Sequence, residues 1–380
     1  MRLVILTSEF SPGPGGIGTH AFNIASELHR LGWQVTVIGR QDYVSRKERE
    51  YFNAALPFEM VSLRQWASTS IDGLYRWSTA LDHLVRRRPD IVMVTGAVSA
   101  WVGAALPRPV PLVTIGHGTE LGLTGWRGSL TRWAFQRADH VVCVSEFTRD
   151  YMLRKGVKPK NISVITNGAD ESSFFQLPQK QVAEFKQRKG FSGCHLILTV
   201  GHVSERKGQD IVIRALPKIL RHVPGTHYVI VGLPTRQEAY QQLARELGVE
   251  DHVHFLGRVS PDELVHLYNA CDIFVLTSRH TDDGDFEGYG IVVVEAALCG
   301  TPAVVAGGSG LSEAVRHGIT GLVVPPESPD ETAQAILQLL ENESLRQRLA
   351  SQAETLARTE QTWARRAEEY DALFRKLARL

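Results

Sequence analysis

Cysteine, long apolar runs and an excess of charge of one sign are all scarce in this sequence. Its 380 residues include four cysteines, which lie in apolar stretches and match no metal-ligand spacing: Cys143, Cys194, Cys271 and Cys299. We therefore expect small buried side chains in a reducing compartment rather than a disulfide framework. No apolar run approaches the roughly 18 residues of a membrane span, which argues against a transmembrane protein.

The balanced charge narrows the function classes further. Lys and Arg number 42 against 41 Asp and Glu, a net charge of +1, whereas dedicated nucleic-acid binders usually carry a basic excess. The opening MRLVILTSEF also lacks the basic segment, apolar core and small-residue cleavage site of a secretory leader. We expect a soluble cytoplasmic protein of about two domains, at roughly 150 residues per domain.

The neutral total conceals an uneven distribution. Residues 1–175 hold 20 Lys and Arg against 15 Asp and Glu, net +5, and residues 176–380 hold 22 against 26, net −4. The basic half contains two segments that combine Arg with aromatic residues, YRWSTALDHLVRRRP and GWRGSLTRWAFQR. Solvated helix faces explain such segments, and so does peripheral docking on the inner face of an anionic membrane; both interpretations stay open.

Strands and helices alternate along most of the chain. Short runs rich in β-branched residues predict two series of strands, separated by a polar stretch at about 170–190. The first series is RLVILT, QVTVIG, DIVMVTG, PLVTIGHG, HVVCVS and ISVITNG, and the second is LILTVG, HYVIVG, VHFLG, DIFVLTS, TPAVVAG and GLVVP. Because such apolar runs are typical of parallel sheets covered by helices, the sequence predicts an α/β protein with two doubly wound domains. Ligands of these sheets bind at the carboxyl ends of the strands.

The loop after the first strand, SPGPGGIGTH, is rich in glycine. Gly13, Gly15 and Gly18 match the G-x-G-x-x-G fingerprint of dinucleotide-binding domains, and a helix is expected to start near Thr19. The second strand, however, runs into Arg40 instead of the acid that binds ribose in those domains. The loop is expected to bring backbone N–H groups and a positive helix end close to an anion. An NAD(P)-dependent oxidoreductase remains an alternative.

Two later loops place charged residues beside glycines. Arg206 and Lys207 stand in GHVSERKGQD ahead of a predicted helix, where two cations suit a diphosphate. In FEGYGIVVVEAALCG, Glu287 and Glu295 are eight residues apart. If a helix begins near residue 289 or 290, Glu287 precedes its positive end and Glu295 lies in its first two turns. One carboxylate can then bind sugar hydroxyls and the other ribose hydroxyls, with phosphate at the helix end.

Together these segments resemble the retaining glycosyltransferases of family 4. The element from Glu287 to Glu295 with its glycines, followed by Gly300-Thr301-Pro302, is similar to the signature of that family. Further similar segments follow the family's order over most of the chain: the Gly15-Gly16 loop, His117, Ser145, NGAD at 167–170, Lys207-Gly208, FLGRV at 255–259 and Trp363.

The resemblance implies the GT-B fold, in which two Rossmann-like domains face each other across a cleft. It implies an acceptor-side domain over residues 1–175, a donor domain over residues 190–363, and a C-terminal helix at about 364–380 that packs on the first domain. The implied reaction moves a hexosyl unit from a UDP- or GDP-sugar to an acceptor hydroxyl with retention, without a metal or other cofactor. The acceptor would be a glycan, a lipid-linked or a small molecule of cell-envelope, exopolysaccharide or glycolipid synthesis.

The resemblance also assigns roles to individual residues. Arg206 and Lys207 would hold the diphosphate, the backbone around Arg258 and Val259 the base, and Glu295 the ribose. Catalytic roles would fall on His117, Arg206, Lys207 and Glu287. The full donor set is Gly16, Gly201, His202, Arg206, Lys207, Arg258, Val259, Glu287, Gly288, Tyr289, Gly290, Ile291 and Glu295; the acceptor side has Gly15, Gly18, His20 and His117.

One residue departs from the family pattern and one motif is rejected. Similar proteins commonly carry Arg after the glycine that closes the first strand of the second domain, where this chain has His202. Either Arg206 takes over that contact, or diphosphate binding is weaker and depends on pH. Asp283-Gly-Asp285 matches a metal-binding D-x-D motif, but GT-B enzymes generally use cations and helix ends, so no metal is expected. A sugar-nucleotide epimerase and a non-catalytic sensor stay as alternatives.

Overall fold

A computed structural model describes residues 1–64, 69–107, 109–282 and 284–379. The chain forms two compact units. The first unit contains Met1–Asn167, residues 284–285 and the C-terminal segment from Trp363; the second contains Gly168–Asp282 and Phe286–Thr362.

The first unit is built on a parallel sheet. Within the described residues this sheet has seven strands in the order β3-β2-β1-β4-β5-β6-β7. The chain reverses direction across the sheet between β1 and β4, which makes the carboxyl ends of these two strands the topological switch point. The strands are β1 (Arg2–Thr7), β2 (Gln34–Gly39), β3 (Glu59–Ser62), β4 (Ile91–Thr95), β5 (Leu112–Gly116), β6 (His140–Cys143) and β7 (Ile162–Val164).

Helices cover both faces of this sheet. Buried side chains of the strands pack with those of the helices, including Val4, Val92, Leu112 and Phe135. Each such side chain contributes roughly 1.5–3 kcal/mol when it is removed from water. The helices are α1 (Gly16–Arg30), α2 (Arg46–Ala54), α3 (Thr69–Arg87), α4 (Ala97–Ala105), α5 (Gly125–Arg137), α6 (Glu146–Arg154) and the C-terminal helix, numbered α14 (Trp363–Leu377), which packs on α1.

The second unit repeats the same plan. Its parallel sheet has six strands among the residues described, in the order β10-β9-β8-β11-β12-β13, with the switch point between β8 and β11. Its strands are β8 (His195–Val200), β9 (Thr226–Val231), β10 (Val253–Gly257), β11 (Ile273–Leu276), β12 (Ala303–Ala306) and β13 (Gly321–Val324). Its helices are α7 (Gln179–Arg188), α8 (Gln209–His222), α9 (Gln237–Glu246), α10 (Pro261–Ala270), α11 (Ile291–Leu298), α12 (Pro329–Glu341) and α13 (Glu343–Glu360).

The predicted α/β class with two Rossmann-like domains is confirmed, since every predicted strand lies in one of the two sheets. One strand was missed. The strand β3 has four residues, EMVS, all only half-buried at the edge of the sheet, and so lacks the apolar run that marks the others.

One helix boundary differs from the sequence analysis. The helix α1 begins at Gly16 and not near Thr19, because Gly15 at its N-cap has φ +143° and turns the chain directly into the helix. The polar stretch at 170–190, which separates the two predicted series of strands, contains α7, whose Val182 and Phe185 are buried. The cysteines form no disulfide: three are buried, and Cys194 is half-buried.

Candidate active site

Charged side chains from two separate loops meet at the switch point of the second unit. Arg206 and Lys207 follow β8, and Glu287 follows β11. The carboxylate Oε2 of Glu287 accepts hydrogen bonds from Arg206 at 2.7 Å and from Lys207 Nζ at 2.5 Å. Two cations around one carboxylate carry a net charge of +1. We call these three residues the ion cluster.

Burial and charge act in opposite directions on Glu287. Its side chain is only 12% exposed, and this burial by itself would raise its pKa. The charges of Lys207 and Arg206 and their hydrogen bonds outweigh burial and lower the pKa of Glu287 to about 2. Glu287 is therefore an ionised hydrogen-bond acceptor at neutral pH, and its negative charge is already neutralised.

Two glycines allow the loop after β8 to pack as it does. A Cβ at Gly208, whose φ is +69°, would stand 2.0 Å from the carbonyl oxygen of Thr277, just beyond β11. A Cβ at Gly201 would stand 3.0 Å from the Lys207 side chain, which passes over it. Neither position has room for a side chain. The glycines in GHVSERKG are therefore needed for close packing as well as for chain reversal.

Polar side chains hold the same loop from both sides. Gln209 is fully buried and donates to the carbonyl oxygen of His202 at 2.8 Å. Arg279, beyond the end of β11, donates from Nε to the carbonyl oxygen of Glu205 at 2.9 Å and forms an ion pair with Asp210. These contacts fix the backbone that carries Arg206 and Lys207 before any ligand binds.

The helix α11 begins next to the ion cluster. Its N-cap is Gly290, with φ +91°, and no side chain caps its first N–H groups among the described residues. The helix starts at Ile291, so Gly288, Tyr289 and Gly290 lead into its positive end, as the sequence predicted. Tyr289 is buried, and its hydroxyl accepts from Gln361 at 3.0 Å.

Glu295 differs from Glu287 in its surroundings. Burial is the main cause that raises the pKa of Glu295 to about 7, and the charge of Asp170 adds to it. The hydroxyl of Tyr268 donates to Glu295 Oε2 at 2.8 Å and opposes this rise. Sequence analysis missed Tyr268, for which no motif gave a signal, because it is contributed by α10.

Among the predicted donor residues outside the ion cluster are Arg258, Val259 and His202. Arg258 and Val259 follow β10, the edge strand of the sheet, two strands away from β8. His202 is exposed, and both partial burial and the charges of Arg206 and Lys207 lower its pKa. His202 is therefore neutral near pH 7 and does not supply the positive charge of the Arg it replaces.

The glycine loop of the first unit leads into α1. Gly16 is the first residue of the helix, and a Cβ there would meet no atom within 4 Å. A Cβ at Gly18, in contrast, would stand 3.2 Å from the backbone of Phe10, and Gly15 provides the positive φ of the cap. Of the three predicted glycines, Gly16 alone leaves open space at the end of the helix.

His117 lies immediately after β5, between two polar partners. Its ring nitrogen Nε2 is 2.7 Å from the hydroxyl of Thr95, and its backbone N donates to Glu120 Oε1 at 2.5 Å. Burial lowers the pKa of His117 to about 3, so its imidazole is neutral. The residues HGTE wrap around the Glu120 carboxylate, and this acid three residues after the histidine is a sequence signal that we did not use.

His20 packs against His117. The two ring centroids are 5.0 Å apart, and His20 Nε2 lies 3.1 Å from the hydroxyl of Tyr370 on α14. His20 is buried, and desolvation followed by the influence of His117 lowers its pKa well below the ordinary value. The C-terminal helix thus fixes the orientation of a predicted acceptor-side residue.

No metal centre is apparent where the chain is described. Among the described residues, no group of three or more His, Cys, Asp and Glu is arranged to hold a metal ion. Asp283 of the D-x-D match lies outside the described residues. None of the described helices is both long and apolar enough to cross a membrane.

Two family models match the chain. The model of the glycosyl transferases group 1 covers residues 181–356, and that of glycosyltransferase family 4 covers residues 14–173. The chain belongs to the group 1 glycosyltransferases. The first match contains the ion cluster, and the second contains the glycine loop and His117.

Similar proteins align with nearly the full length of this glycosyltransferase. A GDP-mannose-dependent α-(1-6)-phosphatidylinositol monomannoside mannosyltransferase of Mycobacterium tuberculosis is 28% identical and aligns over 89% of each chain. A glycogen synthase of the same organism is 28% identical over 96% of this chain and 92% of its own. The crystal structure of Anabaena Alr3699/HepE in complex with UDP and glucose superposes with a TM-score of 0.84 at 23% identity, over 99% and 100% of the two chains. This last likeness fits the GT-B fold.

Proposed function

We propose that this glycosyltransferase moves a hexosyl unit from a nucleotide diphosphate sugar to an acceptor hydroxyl, with retention at the anomeric carbon. The observation that carries the proposal is the ion cluster at the switch point of the second unit. Two similar proteins bear names that include GDP-mannose or UDP and glucose, so GDP-mannose and UDP-glucose are the first donors to test. Cell-envelope or glycolipid synthesis is the role that we infer from the mannosyltransferase.

In the proposed reaction, the bond between the anomeric carbon and the diphosphate oxygen breaks. The bond to the acceptor oxygen forms on the same face, and the acceptor proton passes to the departing phosphate oxygen. Arg206, Lys207 and the amino end of α11 stabilise the charge that develops on the diphosphate. Since Glu287 is held by two cations, we assign it to sugar hydroxyls and not to nucleophilic attack.

The remaining predicted residues take supporting roles in this proposal. Glu295 binds the ribose hydroxyls, and the backbone at Arg258 and Val259 binds the base. The neutral His117 contributes a hydrogen bond to the reaction instead of a charge. Side-chain cations replace a metal ion on the diphosphate, so EDTA is expected to leave the rate unchanged.

The test compares variants of the ion cluster with a matched control. UDP-glucose, GDP-mannose and ADP-glucose are first screened by thermal shift, and transfer is then measured with the donor that binds. Lys207→Met and Glu287→Gln should each lower transfer by at least ~100-fold, the scale of losing one transition-state contact. Lys218→Met changes a lysine of α8 that pairs with Asp330 and should retain full activity. Near-normal transfer in both cluster variants contradicts the assignment.

The stereochemistry needs its own measurement. The anomeric configuration of the first product, read by proton NMR before it equilibrates, should equal that of the donor. An inverted product contradicts the same-face reaction but leaves glycosyl transfer in place. Conversion of the donor without an acceptor would favour the epimerase.

We also propose peripheral contact between the first unit and an anionic membrane. Large apolar side chains are exposed on α3 and α5: Leu74 and Val85 at 67%, Trp126 at 67% and Trp133 at 39%. Arg127 lies over the ring of Trp126. Aromatic and basic side chains together are typical of interfacial binding.

Vesicle sedimentation tests this contact. Wild-type protein should sediment with phosphatidylcholine vesicles that contain phosphatidylserine at low salt, and much less with phosphatidylcholine alone. Trp126→Ser should reduce the bound fraction severalfold, whereas Tyr51→Ser, a change at an exposed aromatic residue of α2, should not. Equal sedimentation of wild type and Trp126→Ser excludes this surface.

A further inference from the structure

A second polar site lies in the first unit, beside the HGTE turn. A cavity of about 420 Å³ is bounded by the 3₁₀ turn Thr119–Gly122, by the first half of α5 and by the chain just after α6. Four of its lining residues are buried, Glu120, Leu121, Thr131 and Val157, and most of the others are exposed and form its rim. Its size is that of a pocket for a small molecule.

The floor of this cavity contains a carboxylate oxygen that is not satisfied. Glu120 is only 3% exposed, and its Oε1 accepts the backbone N–H of His117. Its Oε2 is buried and has no hydrogen-bond partner among the residues described. Buried polar atoms are normally paired, so an unpaired acceptor that lines a cavity points to a ligand with a donor group. Burial also raises the pKa of Glu120 to about 7, and hydrogen bonds from the backbone of the HGTE turn oppose this rise.

The rim of the cavity carries positive charge. Arg132 of α5 and Lys155, just after α6, both line it, and neither forms an ion pair within the described chain. The hydroxyl of Ser129 lies on the same rim, and Leu123 and Val157 supply apolar walls. The cavity thus combines two cations, hydroxyl partners, an acceptor at its floor and apolar surface for a carbon skeleton.

We propose that this cavity binds a small anion that bears hydroxyl groups, of the class of sugar or polyol phosphates. Arg132 and Lys155 bind the phosphate, and Glu120 Oε2 accepts a hydrogen bond from a hydroxyl group of the ligand. Because Glu120 Oε1 holds the backbone of His117, this molecule is the acceptor of the transfer; that last step rests on the proposed function. The same chemistry occurs in a free polyol phosphate and in a lipid headgroup.

Direct binding tests the site without any donor. Glucose 6-phosphate and methyl phosphate are titrated by calorimetry into wild-type protein, with glucose 6-phosphate expected to bind at least ~10-fold more tightly, since it alone offers hydroxyl groups. Arg132→Met and Lys155→Met should each weaken glucose 6-phosphate by at least ~10-fold. Lys158→Met removes a lysine charge three residues from Lys155, outside the cavity lining, and should leave the affinity unchanged. Equal affinity in wild type, Arg132→Met and Lys155→Met overturns the proposal.

A second arm identifies the source of the phosphate. Phosphatidylcholine vesicles with and without phosphatidylglycerol are offered to wild-type protein and Lys155→Met. Binding that needs phosphatidylglycerol and Lys155, and that glucose 6-phosphate displaces, assigns the cavity to a lipid headgroup. Binding of glucose 6-phosphate without such displacement assigns it to a free phosphate, and the absence of both overturns it. These binding measurements use no donor. If Lys207→Met left transfer unchanged, the proposed function would be refuted, but the binding results for this cavity would stand.

Discussion

At the scale of residues, three glutamates of low exposure, Glu120, Glu287 and Glu295, differ in their electrostatic states. Two adjacent cations keep Glu287 ionised and lower its pKa to about 2. Glu295 and Glu120 accept hydrogen bonds but lack a cation at contact distance among the described residues, and burial raises both pKa values to about 7. The neighbours, and not the residue type, decide which glutamate can bind hydroxyl groups as a full anion at neutral pH.

The first prediction concerns acid stability. The pKa of Glu287 is lower in the folded state than its ordinary value of 4.5, so its contribution is complete above about pH 4.5 and is lost as the pH falls towards 2. The contribution is on the order of 3 kcal/mol. In urea denaturation at pH 7 and pH 3.5, Glu287→Gln should lose less stability on acidification than wild type. Glu331→Gln, at an exposed carboxyl of α12, should behave as wild type; parallel curves for all three proteins contradict the ion cluster.

The second prediction concerns Glu295, whose contribution to stability changes with pH in the opposite direction. The pKa of Glu295 is higher in the folded state, so its stabilising contribution is present below about pH 4.5 and disappears as the pH rises through 7. Glu295→Gln, which keeps an acceptor for Tyr268, should match wild type at pH 4.5. At pH 8 its free energy of unfolding should exceed that of wild type by about 1–3 kcal/mol. A variant that is less stable than wild type at pH 8 would show that Glu295 is charged at low cost.

At the scale of elements, the ion cluster depends on how the loop after β8 is attached to the end of β11. Thr277 donates its hydroxyl to the carbonyl oxygen of Gly208 at 2.7 Å. Arg279 holds the same loop by donating to the carbonyl oxygen of Glu205 and by pairing with Asp210. The backbone is therefore rigid where Arg206 and Lys207 leave it. Such preorganisation lowers the cost of binding a diphosphate.

Two glycines with nearly equal φ angles provide a matched prediction. Gly208→Ala introduces both a strained φ and a Cβ 2.0 Å from a backbone oxygen, whereas Gly248→Ala, at φ +65°, meets no atom within 4 Å. We expect Gly248→Ala to cost about 1 kcal/mol of stability and Gly208→Ala about 3 kcal/mol or more. Of the two variants, only Gly208→Ala should weaken binding of the donor. Equal losses, measured by urea denaturation and calorimetry, would mean that the loop shifts freely.

At the scale of the whole molecule, each unit has its own core. Buried residues such as Ile197, Val212 and Tyr228 form the core of the second unit, and Val4, Val92 and Phe135 belong to that of the first. All seven tryptophans of the sequence fall within the ranges of the first unit. Tryptophan emission therefore reports unfolding of that unit, while far-UV circular dichroism reports both.

This distribution leads to a prediction for nucleotide binding. UDP or GDP at 100 times its Kd should stabilise the unit that binds it by about 2.7 kcal/mol. In urea, part of the circular dichroism transition should move to higher concentration, while the transition in tryptophan emission stays in place. If the emission transition moves alone, the nucleotide binds the first unit; if both probes move together, the two units unfold as one.

The sequence by itself determined the strands and the composition of the site loops. Strong β-branched runs predict strands because their burial is encoded locally, and the same reasoning failed for β3, a short half-buried edge strand. The start of α1 at Gly16 depends on the φ of Gly15, which composition does not specify. The Glu287–Glu295 spacing predicted a helix end between two carboxylates, and α11 begins there.

Only the tertiary structure decided which charges meet. Arg206 and Lys207 are some 80 residues from Glu287, and they pair because β8 and β11 are neighbours at the switch point of a parallel sheet. The unequal pKa values of Glu287 and Glu295 arise from burial and from partners contributed by other elements, Lys207 in one case and Tyr268 in the other. Long-range pairing and desolvation are properties of the folded chain, because neither exists until distant segments exclude water together.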